Sequence, residues 1–420
     1  MPSATRISAF ARVTALAGKR QAHAAFAWLH GNPKKIMDWH AAAVAIPAPP
    51  FGEQARAQWL AERFVEAGLT SVLTDEIGNV QGFLNPVGHH PESTGHIVVV
   101  SAHLDTVFPA GTPINPRISD KDGAERLEAP GACDNGAGIA GLLALAHALI
   151  QSRAELAVPL LFLGNVGEEG EGDLRGIRHL YASPLGGRIA AHIVLDGAGA
   201  DSAVTQALGS RRFQVTITGP GGHSFTDAGT PNPIAAMAMA LATLARTPIP
   251  EEPRTTLNLG TIHGGTSVNS IPENAVASFD FRSTSSDELL RLEVALHRAV
   301  EDAIEFANAQ AKASAARGRL AFVISKIGDR PAAMLPGDSP LLEALQAVDR
   351  RLDIKTTVRL GSTDANIPLS LHVPALSLGA GGDGGGAHTQ GEWYSSKGRE
   401  LGLRRVLLLT LAAVDWAAEQ

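Results

Sequence analysis

Four short apolar runs stand out along the chain: HIVVVSA (96–102), VPLLFLGNV (158–166), HIVLD (192–196) and VPALSLG (373–379). None alternates with polar residues, so each reads as a strand buried on both faces. Helical patterns separate them, notably GIAGLLALAHALI (138–150). Strand alternating with helix predicts an α/β layer with a mainly parallel sheet flanked by helices. Helical spacing also runs through residues 20–45 and through EQARAQWLAERFVEAG (53–68), which stops at Gly68. IPAPPFG (46–52) joins these two helices as a Pro-rich loop.

Residues 211–330 have a different rhythm. RRFQVTITG (211–219) and AVASFDFRS (275–283) alternate apolar with polar, and two helical stretches, 232–245 and 286–312, accompany them. Alternating strands have one face on a core and one face solvated or covered by a partner. This stretch is therefore expected to be a small α+β domain inserted into the α/β domain. LLEALQAVDR (341–350) and ELGLRRVLLLTLAAVDWAAE (400–419) return to the first domain as helices. The expected division is 1–210 and 331–420 for the α/β domain and 211–330 for the insertion.

Composition narrows the field. The 420 residues carry a formal net charge of -7, and no basic run exceeds two residues, so nucleic acid is not an expected partner. No stretch reaches the ~18 consecutive apolar residues of a membrane span. The single cysteine, Cys133, rules out an intramolecular disulfide and suits a reducing cytoplasm.

The candidate chemistry lies just past the buried strands. SAHLDTVFP gives His103 and Asp105, GNVGEEGEGD gives Glu168 and Glu169, VLDGAG gives Asp196, and the glycine-rich GAGGDGGGAHT gives His388. Open α/β sheets place their sites outside the carboxyl ends of strands, so these distant positions can converge. GACDNGAG adds Asp134 at the start of a helix. His372, at the start of an apolar run, is the weaker candidate beside His388. Five carboxylates cannot crowd together uncompensated, and the nearest Lys or Arg to these motifs is Arg175, two residues past GNVGEEGEGD. Two divalent cations would supply the missing charge. Mixed His and carboxylate ligands favour zinc, with cobalt or manganese as substitutes. In an extended segment residues i and i+2 face the same way. His103 could then bind metal while Asp105 accepts its other ring N–H. Adjacent Glu168 and Glu169 point apart, so one can be a ligand and the other a base.

Together HLDTV, DNGAG, GEEG, VLDG and the late His resemble the two-zinc exopeptidase and deacylase family of peptidase T, carboxypeptidase G, aminoacylase and succinyl-diaminopimelate desuccinylase. The resemblance implies that Asp134 bridges both metals. It gives His103 and Asp196 to one metal and Glu169 and His388 to the other, and makes Glu168 the general base. It also implies a cis bond after Asp134. GPGGHSFTD (219–227) resembles the family's lid segment, so His223 is expected to reach a neighbouring subunit's site and stabilise an oxyanion. HGGTSVNSIPENA and FDFRS suggest Asn269 and Arg282 as contacts for a substrate carboxylate. RLGSTDAN (359–366) resembles a pocket-lining loop. A homodimer through the lid follows from the same resemblance. Peptidases of the family tend to carry Asp at the position of Asp196 and deacylases Glu. That favours small peptides over N-acyl amino acids as substrates.

Competing readings lose their signatures. GAGIAG (136–141) satisfies G-x-G-x-x-G, but ERLEAPGACDN precedes it, where a dinucleotide fingerprint needs a strand. There is no G-x-S-x-G, H-E-x-x-H or phosphate-binding loop. A binding protein without turnover would be marked by loss of Glu168 or of a ligand, and all are present.

Overall fold

The computed structural model describes residues 8–87, 95–312 and 318–420. The chain divides into two compact units, one running up to Ala207 and resuming at Met334–Gln420, the other Leu208–Ala333.

The first unit is built on a mixed sheet. Its strands lie in the order Thr70–Thr74, Val80–Leu84, Leu160–Asn165, Ile97–His103, Ile189–Leu195, Ala375–Leu378 and Ser202–Ala207. The middle four are parallel, and every residue in them is buried. These are the four apolar runs of the sequence. The flanking strands are less apolar. Val80–Leu84 and Ser202–Ala207 run antiparallel to their neighbours, and Thr357–Gly361 lies parallel to Ser202–Ala207. One face is closed by Leu174, Ile177 and Leu180 of the helix region around Arg175–Ala182 and by Ile367, packed on Ile97, Val99, Leu161 and Leu163. Helices Gly136–Gln151 and Arg399–Ala417 also pack on Ile97–His103, so the central strands have no solvated face.

Two sequence expectations need correction here. Residues 20–45 are not one helix but two, Arg20–Gly31 and Pro33–Ala45, broken at Asn32. Pro33 lacks an N–H and disfavours helical geometry at the residue before it, so it starts a helix and cannot continue one. A strand, Ala124–Glu128, does precede GAGIAG. It belongs to a separate antiparallel sheet with Arg117–Lys121, Trp393–Ser395 and Asp383–Gly385, not to a parallel βαβ unit. The glycines serve close packing. A Cβ on Gly136 would lie 2.5 Å from Val44 Cγ2 and 2.7 Å from Gly131 O, and one on Gly141 would lie 2.6 Å from Ala380 Cβ.

The second unit is a four-stranded antiparallel sheet in the order Thr255–Gly264, Asn274–Ser283, Gly209–Thr218, Ala321–Arg330. Helices Pro233–Leu244 and Ser286–Ala309 cover one face through Phe213, Val215, Ile217, Phe279 and Phe281. Two of these strands were not visible in the sequence. Thr255–Gly264 is an edge strand, mostly exposed, and Ala321–Arg330 carries a register shift at Lys326/Gly328. Neither offers clean alternation.

Candidate functional site

The parallel register brings the candidate residues of the first unit to one edge of the sheet. His103 ends its strand opposite Asn165, three residues before Glu168. Asp196 follows Leu195, and its N–H donates to Leu378 O at 2.8 Å. Residues almost 300 positions apart thus meet because four parallel strands stop at the same level.

Their side chains form a chain of contacts. His103 Nε2 lies 3.0 Å from Asp134 Oδ1 and 3.8 Å from Asp196 Oδ1. His388 Nε2 lies 3.0 Å from Asp134 Oδ2 and 3.1 Å from Glu169 Oε1. The order is Asp196, His103, Asp134, His388, Glu169, with Asp134 in the middle and one imidazole on each of its oxygens. Ligand atoms of His103, Asp134 and Glu169 all fall within 4.8 Å of one another. The peptide bond Asp134–Asn135 is cis.

The donor set fits divalent cations. Asp134 Oδ1 is buried and, despite its closeness to His103, makes no well-formed hydrogen bond. Burial works against a charge on His103, yet Asp105, Asp134 and Asp196 outweigh it and hold its pKa well above the ordinary value. Contacts with Asp134 and Glu169 push His388 up to about 10. Burial would raise Asp134, but His103 and His388 hold it well below the carboxylate range. Such a pocket gathers positive charge, and imidazole with carboxylate oxygen suits zinc and its neighbours. Glu168 is 5% exposed beside Glu169.

Asp105 departs from the sequence expectation. His103 Nδ1 lies 3.1 Å from the backbone oxygen of Asp105 and 3.7 Å from its carboxylate, too far for a hydrogen bond. The carboxylate instead accepts the N–H of Glu168 at 3.0 Å and of Glu169 at 2.7 Å. Asp105 therefore orients His103 through its carbonyl and fixes the GEEG turn through its side chain.

Other buried groups hold the site, and two of them, Glu392 and His40, had no motif to announce them. Glu392 accepts the N–H groups of Gly131, Cys133 and Asp134. His40 Nε2 lies 2.6 Å from Ala132 O, and burial pushes its pKa down to about 3, so it is neutral and donates. Asn135 caps the helix that follows: its Oδ1 accepts from Gly138 and Gly197, and its Nδ2 donates to Leu195 O. An Asn before an apolar helix is a readable cap signal; an acid four residues after His388 is not. Asp364, in the RLGSTDAN segment, is fully buried and accepts from Asn165 Nδ2 at 2.7 Å, and burial pushes its carboxyl up to about 7.

The remaining candidates lie in the second unit. His223 and Asn269 come together there, because the short strand Gly222–His223 pairs with Ser270–Ile271 and Ser224 N–H donates to Asn269 O. Both are exposed. His223 Nδ1 accepts from the N–H of Phe225 and of Thr226, which puts the ring proton on Nε2. Arg282 is not brought to them. It stands opposite Ser210 at the other end of the sheet, its Nε on Asp280 at 2.7 Å.

The sequence profile described as Peptidase family M20/M25/M40 matches residues 99–411. No curated protein sequence matches the chain significantly. Among solved structures, the aminopeptidase PepT of Bacillus cereus ATCC 10987 is similar at TM-score 0.71 and 18% identity, covering 91% of this chain and 99% of that one. A tripeptidase of Staphylococcus aureus subsp. aureus Mu50 is similar at 0.67 and 21%, covering 93% and 99%. The YxeP protein of Bacillus subtilis, described as a dinuclear metal binding peptidase of the M20 family, is similar at 0.65 and 16%, covering 92% and 99%.

Proposed function

The chain belongs to peptidase family M20/M25/M40 and is a hydrolase, and from that premise we propose that it is a two-zinc exopeptidase acting on small peptides. The observation that carries this reading is the contact order Asp196–His103–Asp134–His388–Glu169, which sets one carboxylate between two His–acid pairs. Asp134 would then be shared by the two metals, His103 and Asp196 would hold one, and Glu169 and His388 would hold the other. Two zinc ions, or cobalt or manganese, would polarise the scissile carbonyl and lower the pKa of a water toward about 7. Glu168, next to Glu169 in the turn that Asp105 fixes, takes the proton of the attacking water and delivers it to the leaving amine.

The lid residues enter this scheme as parts of a homodimer. His223 and Asn269 lie beyond the Asn274 end of the strand that carries Arg282 near its other end. Eight residues of strand span about 26 Å, several times the length of a dipeptide. One subunit therefore cannot bring all three to one substrate. In a dimer, His223 of the partner subunit would donate its Nε2–H to the developing oxyanion, with Asn269 of the partner subunit beside it. Arg282, already fixed by Asp280, is suited to a substrate carboxylate.

Peptides rather than N-acyl amino acids are the proposed substrates. The relatives include an aminopeptidase and a tripeptidase by name, and Asp196 is the acid that peptidases of this kind tend to carry. No helix among the described residues is long and apolar enough to cross a membrane, and the lone Cys133 suits our placement of the enzyme in the cytoplasm. The test is hydrolysis of a panel of dipeptides, tripeptides and N-acyl amino acids, with metal content read on the same sample. Cleavage of peptides with about two zinc per chain is expected. Cleavage of acyl amino acids alone would make it a deacylase. Full metal loading with no turnover would make it a binding protein.

A further inference from the structure

Asp134 is gripped at two places by one short piece of chain. His388 Nε2 sits 3.0 Å from its carboxylate, and Glu392 Oε1 accepts its backbone N–H at 2.6 Å. The same Oε1 accepts from Cys133 at 2.7 Å, and Oε2 accepts from Gly131 at 2.7 Å. The segment between the two residues is a closed turn: Thr389 N–H donates to Gly386 O, Glu392 N–H donates to Thr389 O, and Ala129 N–H returns to Glu392 O. Glu392 is 1% exposed. The two carboxyl oxygens of Glu392 take three backbone amides at once, two on Oε1 and one on Oε2. Burying such a group for the fold alone would be costly. Its partners are all in the loop that carries Asp134.

The opposite side of Asp134 has its own anchor. Asn135 binds Gly138 and Gly197 through Oδ1 and Leu195 O through Nδ2, tying Asp134 to the strand end that carries Asp196. The two anchors divide the site. Asn135 serves the His103–Asp196 half, and Glu392 serves the His388–Glu169 half.

We propose that Glu392 is a positioning residue that locks the Asp134 loop to the His388 loop, and so sets the affinity of the metal held by His388 and Glu169 without touching substrate or metal. This rests on the two-metal reading given above. In Glu392→Gln one acceptor oxygen becomes an NH2 group, which must face a backbone N–H donor to donor. The His388 half then loses its register with Asp134, while the Asn135 anchor still holds the other half.

The experiment is calorimetric titration of zinc into metal-free wild type and metal-free E392Q, with the melting temperature of each recorded. Wild type is expected to bind two zinc per chain. E392Q is expected to keep the tighter site and bind the second zinc about 10–100-fold more weakly, the usual effect of losing a group that orients a ligand. A second affinity that does not change, or an equal loss at both sites, overturns the proposal, because a merely structural Glu392 would lower the melting temperature without choosing between metals. Wild type that takes up fewer than two zinc would instead bring down the two-metal reading itself. Should E392Q fail to fold, amide hydrogen exchange on metal-free wild type decides the matter. The N–H groups of Gly131, Cys133 and Asp134 should exchange slowly, and exchange at the rate of exposed loops would overturn the proposal.

Discussion

The candidate metal centre and the lid cluster meet their environments in opposite ways. Around His103, Asp134 and Glu169, each backbone turn is tied down by a buried side chain: Asp105 for GEEG, Glu392 and His40 for the Asp134 loop, Asn135 for the strand end before Asp196. His223 and Asn269 are exposed and rest on a two-residue ladder. The first region is organised before anything binds. Groups that must hold two cations need fixed angles and pay no ordering cost later. The second region presents a donor to solvent, and in the proposed dimer it would be completed by another surface.

The largest effect should come from the rigid side. Glu168→Gln keeps the shape of the turn and removes the proton carrier, so kcat should fall about 10²–10⁴-fold while zinc content stays as in wild type. Near-normal turnover would remove Glu168 as the base, and loss of a metal would show that it is a ligand instead. Next comes the lid. His223→Ala should lower kcat about 10²–10³-fold, the cost of one oxyanion donor, with both metals retained. The two variants together sharpen the contrast between a site fixed within one chain and a donor delivered by another. In a mixed dimer of E168Q and H223A chains, one site has an intact Glu168 and receives an intact His223 from its partner. Mixing equal amounts of two nearly inactive preparations, under conditions that allow subunit exchange, should restore activity toward about a quarter of the wild-type value, since half of the dimers are then mixed and each holds one working site. If the mixture stays as inactive as its components, His223 does not act across a subunit boundary.

The same contrast explains what could be read without a structure. Of the candidate metal ligands, His103, Glu169 and Asp196 were legible because each sits in a short polar motif just past an apolar strand: HLD after IVVV, GEEG after LLFL, Asp196 after IVL. Parallel strands carry such ends to one edge, so strand pattern alone implied convergence. The groups that hold those ligands were silent. Glu392 and Asp134 are 258 positions apart, and Glu392 acts on backbone N–H groups, which every residue has. His40 reaches a carbonyl 92 positions away for the same reason. Asp105 was found, but its carboxylate was assigned to His103 when it serves two amides of GEEG. The outer strands Ser202–Ala207 and Thr357–Gly361, beyond the four parallel ones, lack the apolar run that marks a buried strand. On the lid, Asn269 and Arg282 appeared as one subsite, since spacing along a sequence does not reveal that a straight strand separates them.

The smallest effect expected tests whether the rigid side also stores a charge. Asp364 is buried against Asn165, and neither Oδ1 of this pair has a hydrogen-bond partner. A protonated carboxyl facing an amide satisfies both atoms at once, donating to the amide oxygen and accepting from its NH2. Burial agrees, lifting the Asp364 carboxyl from its ordinary value to about 7. A raised pKa means that the stabilising contribution is full below the unfolded value near 4 and is lost as pH climbs through about 7. Metal-free wild type should therefore lose stability over that window. Asp364→Asn keeps a neutral partner of the same shape, so its melting temperature should fall less between pH 5 and 8. An Asp364→Asn curve that parallels wild type would place the ionised form in the native protein, and the buried layer would then hold one more negative charge that the bound cations must offset.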